Sequence, residues 1–596
     1  MSLLLSRRDL DFILYEWLDV ESLTTRPYFS HHDRQTFDGV LDMCETMAEE
    51  LFAPFYRKSD DQEPHFDGET VHVLPEAKQA MDAFFAAGLA GASQSIESGG
   101  MQLPVTIERA AFSWITAANG PASGYAFLTM AAANLLVEHG TPEQIGRYAR
   151  QMYKGRFFGT MCLSEPQAGS SLSDIRTRAE QQPDGSYRLF GNKMWISGGD
   201  QNISENIVHL VLAKIPGGPP GVKGISLFLV PKYLLDENDA PAERNDVALA
   251  GLNHKMGNRG TTNTLLNFGE GRYLPDGRAG AKGWLVGERH KGLACMFFMM
   301  NEARIGVGTG SASLGYTGYL HALEYARNRP QGRLPGAKDP TQPQVPLIRH
   351  ADIRRMLLAQ KAYAEGALAF NLYCSKLVDE ARSADSPDER ADLQLLLDLL
   401  TPIAKSWPSQ WCLAANDLAI QVHGGAGYTR DFPVELFYRD NRLNPIHEGT
   451  HGIQGIDLLG RKVVVQQGRA LTLLAERMER TCAKAAADPG GARYAAALRG
   501  VLARVQHVTR RLHQEETAEE TLANASVYLE AFGHMALGWA WLDKYIATLG
   551  KTGSFYEGKR AAAHFFFEWE LPRTGPMLDL LDRNDRTTLE LDPDCL

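Results

Sequence analysis

The chain has 596 residues with 44% hydrophobic and 22% charged residues, which is ordinary for a soluble globular protein with several cores. Its net charge of −11 argues against a nucleic-acid or anionic-membrane partner, because phosphate binding rests on basic clusters. No apolar run approaches the roughly 18 residues that span a bilayer, the opening MSLLLSRRDLDFILYEW lacks a signal-peptide core, and the seven cysteines form no C-x-x-C pair, so a cytoplasmic protein with reduced thiols is expected.

Residues 35–155 read as helical. Apolar side chains recur at three- and four-residue spacing over 37–55, 77–90, 107–118 and 125–139. Thr141-Pro142-Glu143-Gln144 has the form of a helix start, with Thr141 as the cap and proline in the first turn. From about 157 to 275 the pattern changes to short β-rich runs, at 187–196, 207–215, 225–230 and 264–268. Asp184-Gly185 supplies a hairpin turn. Helical periodicity is expected to return from Ala281, with long helices over 293–323, 348–382 and 391–422 and a Pro/Gly-rich loop over 330–346. The predicted class is a multidomain α+β fold. It comprises a helical domain (1–156), a β-barrel-like domain (157–280), a helical bundle (281–465) and a helical C-terminal extension (466–596).

Four segments carry the chemistry. The first is Met161-Cys162-Leu163-Ser164-Glu165-Pro166-Gln167-Ala168-Gly169-Ser170-Ser171, where small and hydroxyl residues let the backbone approach a flat ligand. The second, Lys193-Met194-Trp195-Ile196-Ser197, sets a tryptophan beside a hydroxyl, an arrangement suited to a stacked aromatic group. The third, Gln421-Val422-His423-Gly424-Gly425, runs a helix into a glycine turn that admits a pyrophosphate. Taken singly, each has a plainer reading as polar loop, core tryptophan or glycine cap.

The fourth, Asn444-Pro445-Ile446-His447-Glu448-Gly449-Thr450-His451, contains H-E-x-x-H, which in zinc proteases places two histidines on one helical face. A third ligand could be sought at Glu476, but Gly449 weakens the required helix and Pro445 puts the motif at or before its first turn. No metal is expected. Gly306-Val307-Gly308-Thr309-Gly310 lies within a helical pattern and reads as close helix packing, not as a dinucleotide fingerprint.

In order and spacing, these segments resemble the acyl-CoA dehydrogenase family over residues 40–465, and the long chain resembles the branch that includes 3-methylmercaptopropionyl-CoA dehydrogenases and long bacterial fatty acyl-CoA dehydrogenases. The resemblance implies FAD, with Met161, Leu163, Ser164, Gly169, Trp195, Ile196, Ser197 and Thr450 near the flavin. Arg329, Gln331, Gln421, Gly424 and Gly425 would hold the diphosphate and adenine across a subunit interface, hence at least a homodimer. Ser170, Asn301 and Arg304 would meet the acyl-CoA, and Glu448 of Glu448-Gly449-Thr450 would be the base.

The implied reaction is α,β-dehydrogenation of an acyl-CoA to a trans-2-enoyl-CoA, with the α-proton passing to Glu448 and the β-hydride to flavin N5. Electron-transferring flavoprotein would be the acceptor, and an acyl-CoA oxidase using oxygen is the alternative. A DNA-associated relative and a zinc hydrolase are remoter readings. The sequence departs from the family pattern at His447 (commonly Tyr), Asn301 (Asp), Ser171 (Asp) and Gly452 (Gln, with Gln454 two residues on).

Overall fold

The computed structural model describes residues 2–337 and 339–596, without the side chains of residues 298–301 and 515. Its principal elements are, in chain order, helices α1 (Arg34–Met47), α2 (Pro75–Ala86), α3 (Val105–Ala118) and α4 (Gly120–His139), then eight strands, then helices α5 (Gly292–Asn328) to α12. The strands are β1 (Phe157–Cys162), β2 (Arg178–Gln181), β3 (Tyr187–Ser197), β4 (Asn206–Lys214), β5 (Ile225–Pro231), β6 (Val247–Leu252), β7 (Asn263–Phe268) and β8 (Ala281–Val286). The later helices are α6 (Ala351–Arg382), α7 (Pro387–His423), α8 (His451–Asp457), α9 (Val465–Ala485), α10 (Pro489–Glu515), α11 (Ala525–Ala547) and α12 (Ser554–Phe565). The class is the expected one, mostly helical with a central β-barrel-like sheet.

The chain forms two compact units. The sheet unit comprises Asp38–Leu103 and Trp114–Ala303. Its strands run β6-β7-β3-β8-β5-β4-β1, with β2 paired to β3 and β4, and all ladders are antiparallel except β1–β4 and β2–β4. One face buries Val208, Leu210 and Leu227 against α4, where Gly159 of β1 lies so close that a Cβ would come within 2.6 Å of the Ala132 methyl. The other face buries Val211, Phe228, Leu189 and Phe268, the alternation that strand pleating imposes. Thr141 caps its helix through a capping box with Gln144, and Asp184 Oδ1 accepts from Ser186 in the β2–β3 turn, where Gly185 has φ +84°.

Helical structure resumes at Gly292, not at Ala281. Residues 281–286 form β8, filling the place between β3 and β5, with Ala281 and Gly283 buried at alternate positions. A Cβ on Gly283 would come within 2.8 Å of the Leu229 carbonyl, so the glycine that weakens a strand signal is what admits this strand beside β5.

The helical unit comprises Met1–Phe37, Pro104–Ser113 and Arg304–Leu596. Helix α7 continues through Pro402 and Pro408. Proline has no amide to give, so the Ala404 carbonyl loses its i+4 partner at Pro408. Helix α5 packs at that point: a Cβ on Gly308 would sit 1.8 Å from the Ala404 oxygen. The small-residue run at 306–310 is therefore a close-packing device.

The extension belongs to the same core. Trp541 Nε1 of α11 donates to the Ala362 carbonyl of α6 at 3.1 Å, and Tyr363 donates to Glu570 at 2.9 Å. Lys559 of α12 pairs with Glu365 of α6 at 2.7 Å and with Asp9, fastening the two ends of the chain to α6 through buried charges.

Candidate active site

In the helical unit, a chain of short polar side chains leads to the fourth motif. Ser311 Oγ of α5 donates to Asn441 Oδ1 (2.6 Å), which also accepts from Asn444 Nδ2 (2.8 Å). Asn444 Oδ1 lies 3.0 Å from His447 Nε2. Because Asn444 uses its amide nitrogen on Asn441, its oxygen must accept, which assigns the His447 proton to Nε2. Burial, and then the charge on Lys405, push His447 down to about 3, so the ring is neutral. His447 therefore holds the turn in place and carries no charge at neutral pH.

The two residues that follow adopt left-handed backbone, Glu448 at φ +53° and Gly449 at φ +88°. A glutamate held there stores strain of order 1–3 kcal/mol, which persists only where neighbours over-determine it. Four contacts do so. Gln454 Nε2 donates to the Glu448 carbonyl at 2.9 Å. Lys405 Nζ of α7 donates to the Gly449 carbonyl at 2.7 Å. The His451 amide donates back to the Pro445 carbonyl at 3.1 Å, and Thr450 Oγ1 caps α8 by accepting from the Ile453 amide at 3.3 Å.

The H-E-x-x-H residues thus lie in a turn followed by a helix start. His447 and His451 do not share a helical face, and His451 pairs instead with Glu530 of α11 at 3.2 Å. Glu530 also accepts from Trp411 Nε1 at 2.8 Å.

Among the described residues, the half-buried Glu448 carboxylate has no hydrogen bond or ion pair. Burial pushes its pKa above the ordinary carboxylate value, opposed by the positive charges of Arg304 and Lys405. Arg304, buried on α5, lies 3.5 Å from Asp457. Asn301 is one of the residues whose side chain lies outside the description.

The same unit places Arg329, Gln331, Gln421, Gly424 and Gly425 on its exposed surface. Tyr325 stacks on His423 with centroids 4.3 Å apart, bringing the end of α5 beside the end of α7. Gly424 turns at φ +62°, and nothing lies within 4 Å of a Cβ built at Gly424 or Gly425.

In the sheet unit, Trp195 lies at the register shift of the β3–β7 ladder with φ +64° and remains 59% exposed, an unusual degree for so large an apolar side chain. Ile196 is buried, and Ser197 accepts from Asn263 at 3.3 Å. The 163–176 loop is fastened to β3 by one buried pair. Lys193 Nζ donates to the Leu163 carbonyl (2.9 Å) and to Glu165 (2.9 Å). Glu165 also accepts from the Arg176 amide at 2.6 Å and from the Thr177 hydroxyl at 2.6 Å. Although burial opposes ionisation, Lys193 and these donors hold Glu165 down to about 2. Met161, Leu163 and Ser164 are half-buried, and Gly169 and Ser170 are exposed.

Sequence reasoning named Glu165 and Lys193 without a role and did not single out Lys405. A signal existed for Lys405: it is a lone cation in the apolar stretch Ile403-Ala404-Lys405-Ser406-Trp407, bracketed by Pro402 and Pro408.

The fold and the family matches over most of the chain define the class. The chain belongs to the acyl-CoA dehydrogenase family, oxidoreductases acting on acyl-CoA. Its segments match the family's N-terminal domain (residues 36–156), middle domain (160–270) and C-terminal domain (290–463), and an acetyl-CoA dehydrogenase C-terminal-like domain (474–592). The chain is 35% identical to 3-methylmercaptopropionyl-CoA dehydrogenase of Ruegeria pomeroyi, covering 93% of each chain. It is 36% identical to the broad-specificity linear acyl-CoA dehydrogenase FadE5 of Mycobacterium tuberculosis, covering 98% of each. Its fold is shared with a Bacillus anthracis acyl-CoA dehydrogenase solved with FAD, with a TM-score of 0.72 at 19% identity over 94% of this chain and 92% of that one.

Proposed function

We propose that the protein uses FAD to convert an acyl-CoA thioester to its trans-2-enoyl-CoA, with Glu448 as the base that takes the α-proton. The observation that carries this reading is the Glu448 turn: a strained, clamped backbone presenting a carboxylate with no hydrogen bond or ion pair among the described residues. A carboxylate removes such a weakly acidic proton only when desolvation raises its basicity towards that of the carbon acid. Half-burial begins that shift, and an acyl chain that expels the remaining water completes it. The Glu448 amide is the donor the family resemblance assigns to the thioester carbonyl, where it would stabilise negative charge as the proton leaves. Holding the turn rigid matters because misplacing the carboxylate by about 1 Å costs on the order of 100-fold in rate.

The residues fit the cofactor in each unit taken separately. Trp195 offers an exposed indole face fixed by its backbone, with Ser197 two residues on and Ser164 held beside it through the Met194 amide, which donates to the Ser164 carbonyl at 3.0 Å. Arg329 and Gln331, with the open Gly424-Gly425 turn, offer a cation, an amide and bare backbone to the diphosphate and adenine. The bound flavin would supply the hydride acceptor. Ser170, Asn301 and Arg304 would meet the CoA ester. Straight-chain acyl-CoA and 3-methylmercaptopropionyl-CoA are the substrate classes to test first, with electron-transferring flavoprotein as acceptor and a homodimer as the smallest assembly.

The test is anaerobic addition of acyl-CoAs, from butyryl to palmitoyl and 3-methylmercaptopropionyl, to the flavin-loaded protein. The visible flavin band bleaches with one class of thioester, and Glu448→Gln slows the bleaching by about 10³-fold or more. A Glu448→Gln protein that bleaches at the wild-type rate would remove Glu448 from the chemistry.

A further inference from the structure

Lys405 is the cation the mechanism above does not yet use. It is fully buried on α7 in an apolar stretch, with its amine on the Gly449 carbonyl at 2.7 Å. Among the described residues, no carboxylate is hydrogen-bonded to that amine or ion-paired with it. A buried ammonium without a bonded counter-ion is expensive, and such groups persist where they have a task. Burial pushes Lys405 down to about 7, with the negative charge of Glu448 opposing that fall and Arg304 adding to it. Two prolines flank the residue, and the packing of Gly308 on Ala404 fixes the helix immediately before it. The amine therefore has little freedom to leave the turn.

We infer that Lys405 is a positioning residue for the base: its amine locks the left-handed Glu448–Gly449 turn through the Gly449 carbonyl, and its charge joins that of Arg304 in favouring the ionised form of Glu448. The inference rests on the reading of Glu448 as the base. Two tasks meet in one side chain. As a donor, Lys405 holds the carbonyl adjoining the catalytic residue, while Gln454 holds the one before it. As a charge, it adds to Arg304 in opposing the upward push of burial on Glu448.

Of the other charged groups around the turn, Arg304 shares the electrostatic role and lowers Glu448 more than Lys405 does. Arg304 also faces Glu448 but is coupled to Asp457 and Asp398, with Arg461 opposing. His447 is neutral, and His451 is paired with Glu530. Lys405 differs from Arg304 in having Glu448 as the acid it senses most strongly.

Three variants separate donor from charge. Lys405→Gln keeps a donor without charge, Lys405→Arg keeps the charge, and Glu448→Gln removes the base. The pH dependence of the flavin-bleaching rate is measured for each. So is the Glu448 carboxyl band by infrared titration, identified as the band absent in Glu448→Gln; this readout does not depend on turnover.

In Lys405→Gln the acidic limb and the carboxyl midpoint both move to higher pH by about one unit, because a nearby positive charge typically lowers a carboxylate by 1–3 units. Lys405→Arg restores both. Folded Lys405→Gln with an unmoved carboxyl midpoint overturns the inference while leaving Glu448 as the base. Unimpaired bleaching by Glu448→Gln overturns the base reading itself.

Discussion

Two buried lysines perform the same mechanical act in the two units, and their surroundings set them apart. Lys193 in the sheet unit and Lys405 in the helical unit each donate to a loop carbonyl, Leu163 and Gly449 respectively. Lys193 has a carboxylate bonded at 2.9 Å, and that carboxylate takes further bonds from Arg176 and Thr177. Lys405 has no such partner among the described residues and senses Glu448 through space. A lysine paired within a satisfied network is fixed cement. A lysine left to interact with one unbonded acid near pH 7 answers to the state of that acid. The first arrangement suits a loop that must stay still, and the second suits a turn whose carboxylate gains and loses a proton.

The contrast is broken most forcefully at Lys193. Lys193→Met leaves Glu165 buried without its counter-charge, and removing one partner of a buried pair destabilises by about 3–5 kcal/mol. Chemical denaturation of the variant reads this, and a loss below about 1 kcal/mol would show that the backbone and hydroxyl donors suffice alone.

Lys405→Met is expected to behave in the opposite sense. The folded-state pKa of Lys405 is lowered to about 7 from the ordinary lysine value of 10.5, so between those pH values the unfolded chain holds a proton that the folded chain has released. Stability contributed by this site therefore rises with pH across that window and is least below about 7. Lys405→Met removes that slope, gaining stability on the order of a few kcal/mol near pH 6 and little near pH 10. Unfolding midpoints at the two pH values decide it: an equal change at both would mean the lysine does not titrate in the fold.

The smallest effect sharpens the comparison from α5. Gly308→Ala drives a methyl into the Ala404 oxygen, one residue before Lys405, and should cost about 1–3 kcal/mol by overpacking. If the Lys405 amine is placed through that helix, the bleaching rate falls more than the stability loss explains.

Much of the architecture was legible because it is written in local periodicity. The long helices after the sheet and four of the eight strands could be traced from apolar spacing and turn residues. Thr141 and Asp184-Gly185 act as their side-chain chemistry predicts. Residues 281–286 were misread because Gly283 thins the strand signal and the pairing partners, Tyr187–Leu189 and Leu227–Leu229, are remote in sequence.

The Glu448-Gly449-Thr450 turn was visible as a motif, and its conformation was not. Glutamate is no signal for positive φ, and the clamps come from 6 and 44 residues away. The roles of Lys193 and Lys405 are long-range for the same reason. A buried lysine is apparent in sequence only as a break in an apolar run.

The tie between His451 and Glu530 bears on when the enzyme becomes complete. The turn that carries Glu448 is synthesised 79 residues (530 minus 451) before the carboxylate that anchors it on α11. A nascent chain that has already made the entire sheet unit still lacks that anchor, together with the Ala525 backbone on which Gly455 of α8 packs. The order of synthesis thus places the anchoring of the Glu448 turn late in making the protein, after the α11 carboxylate has been added.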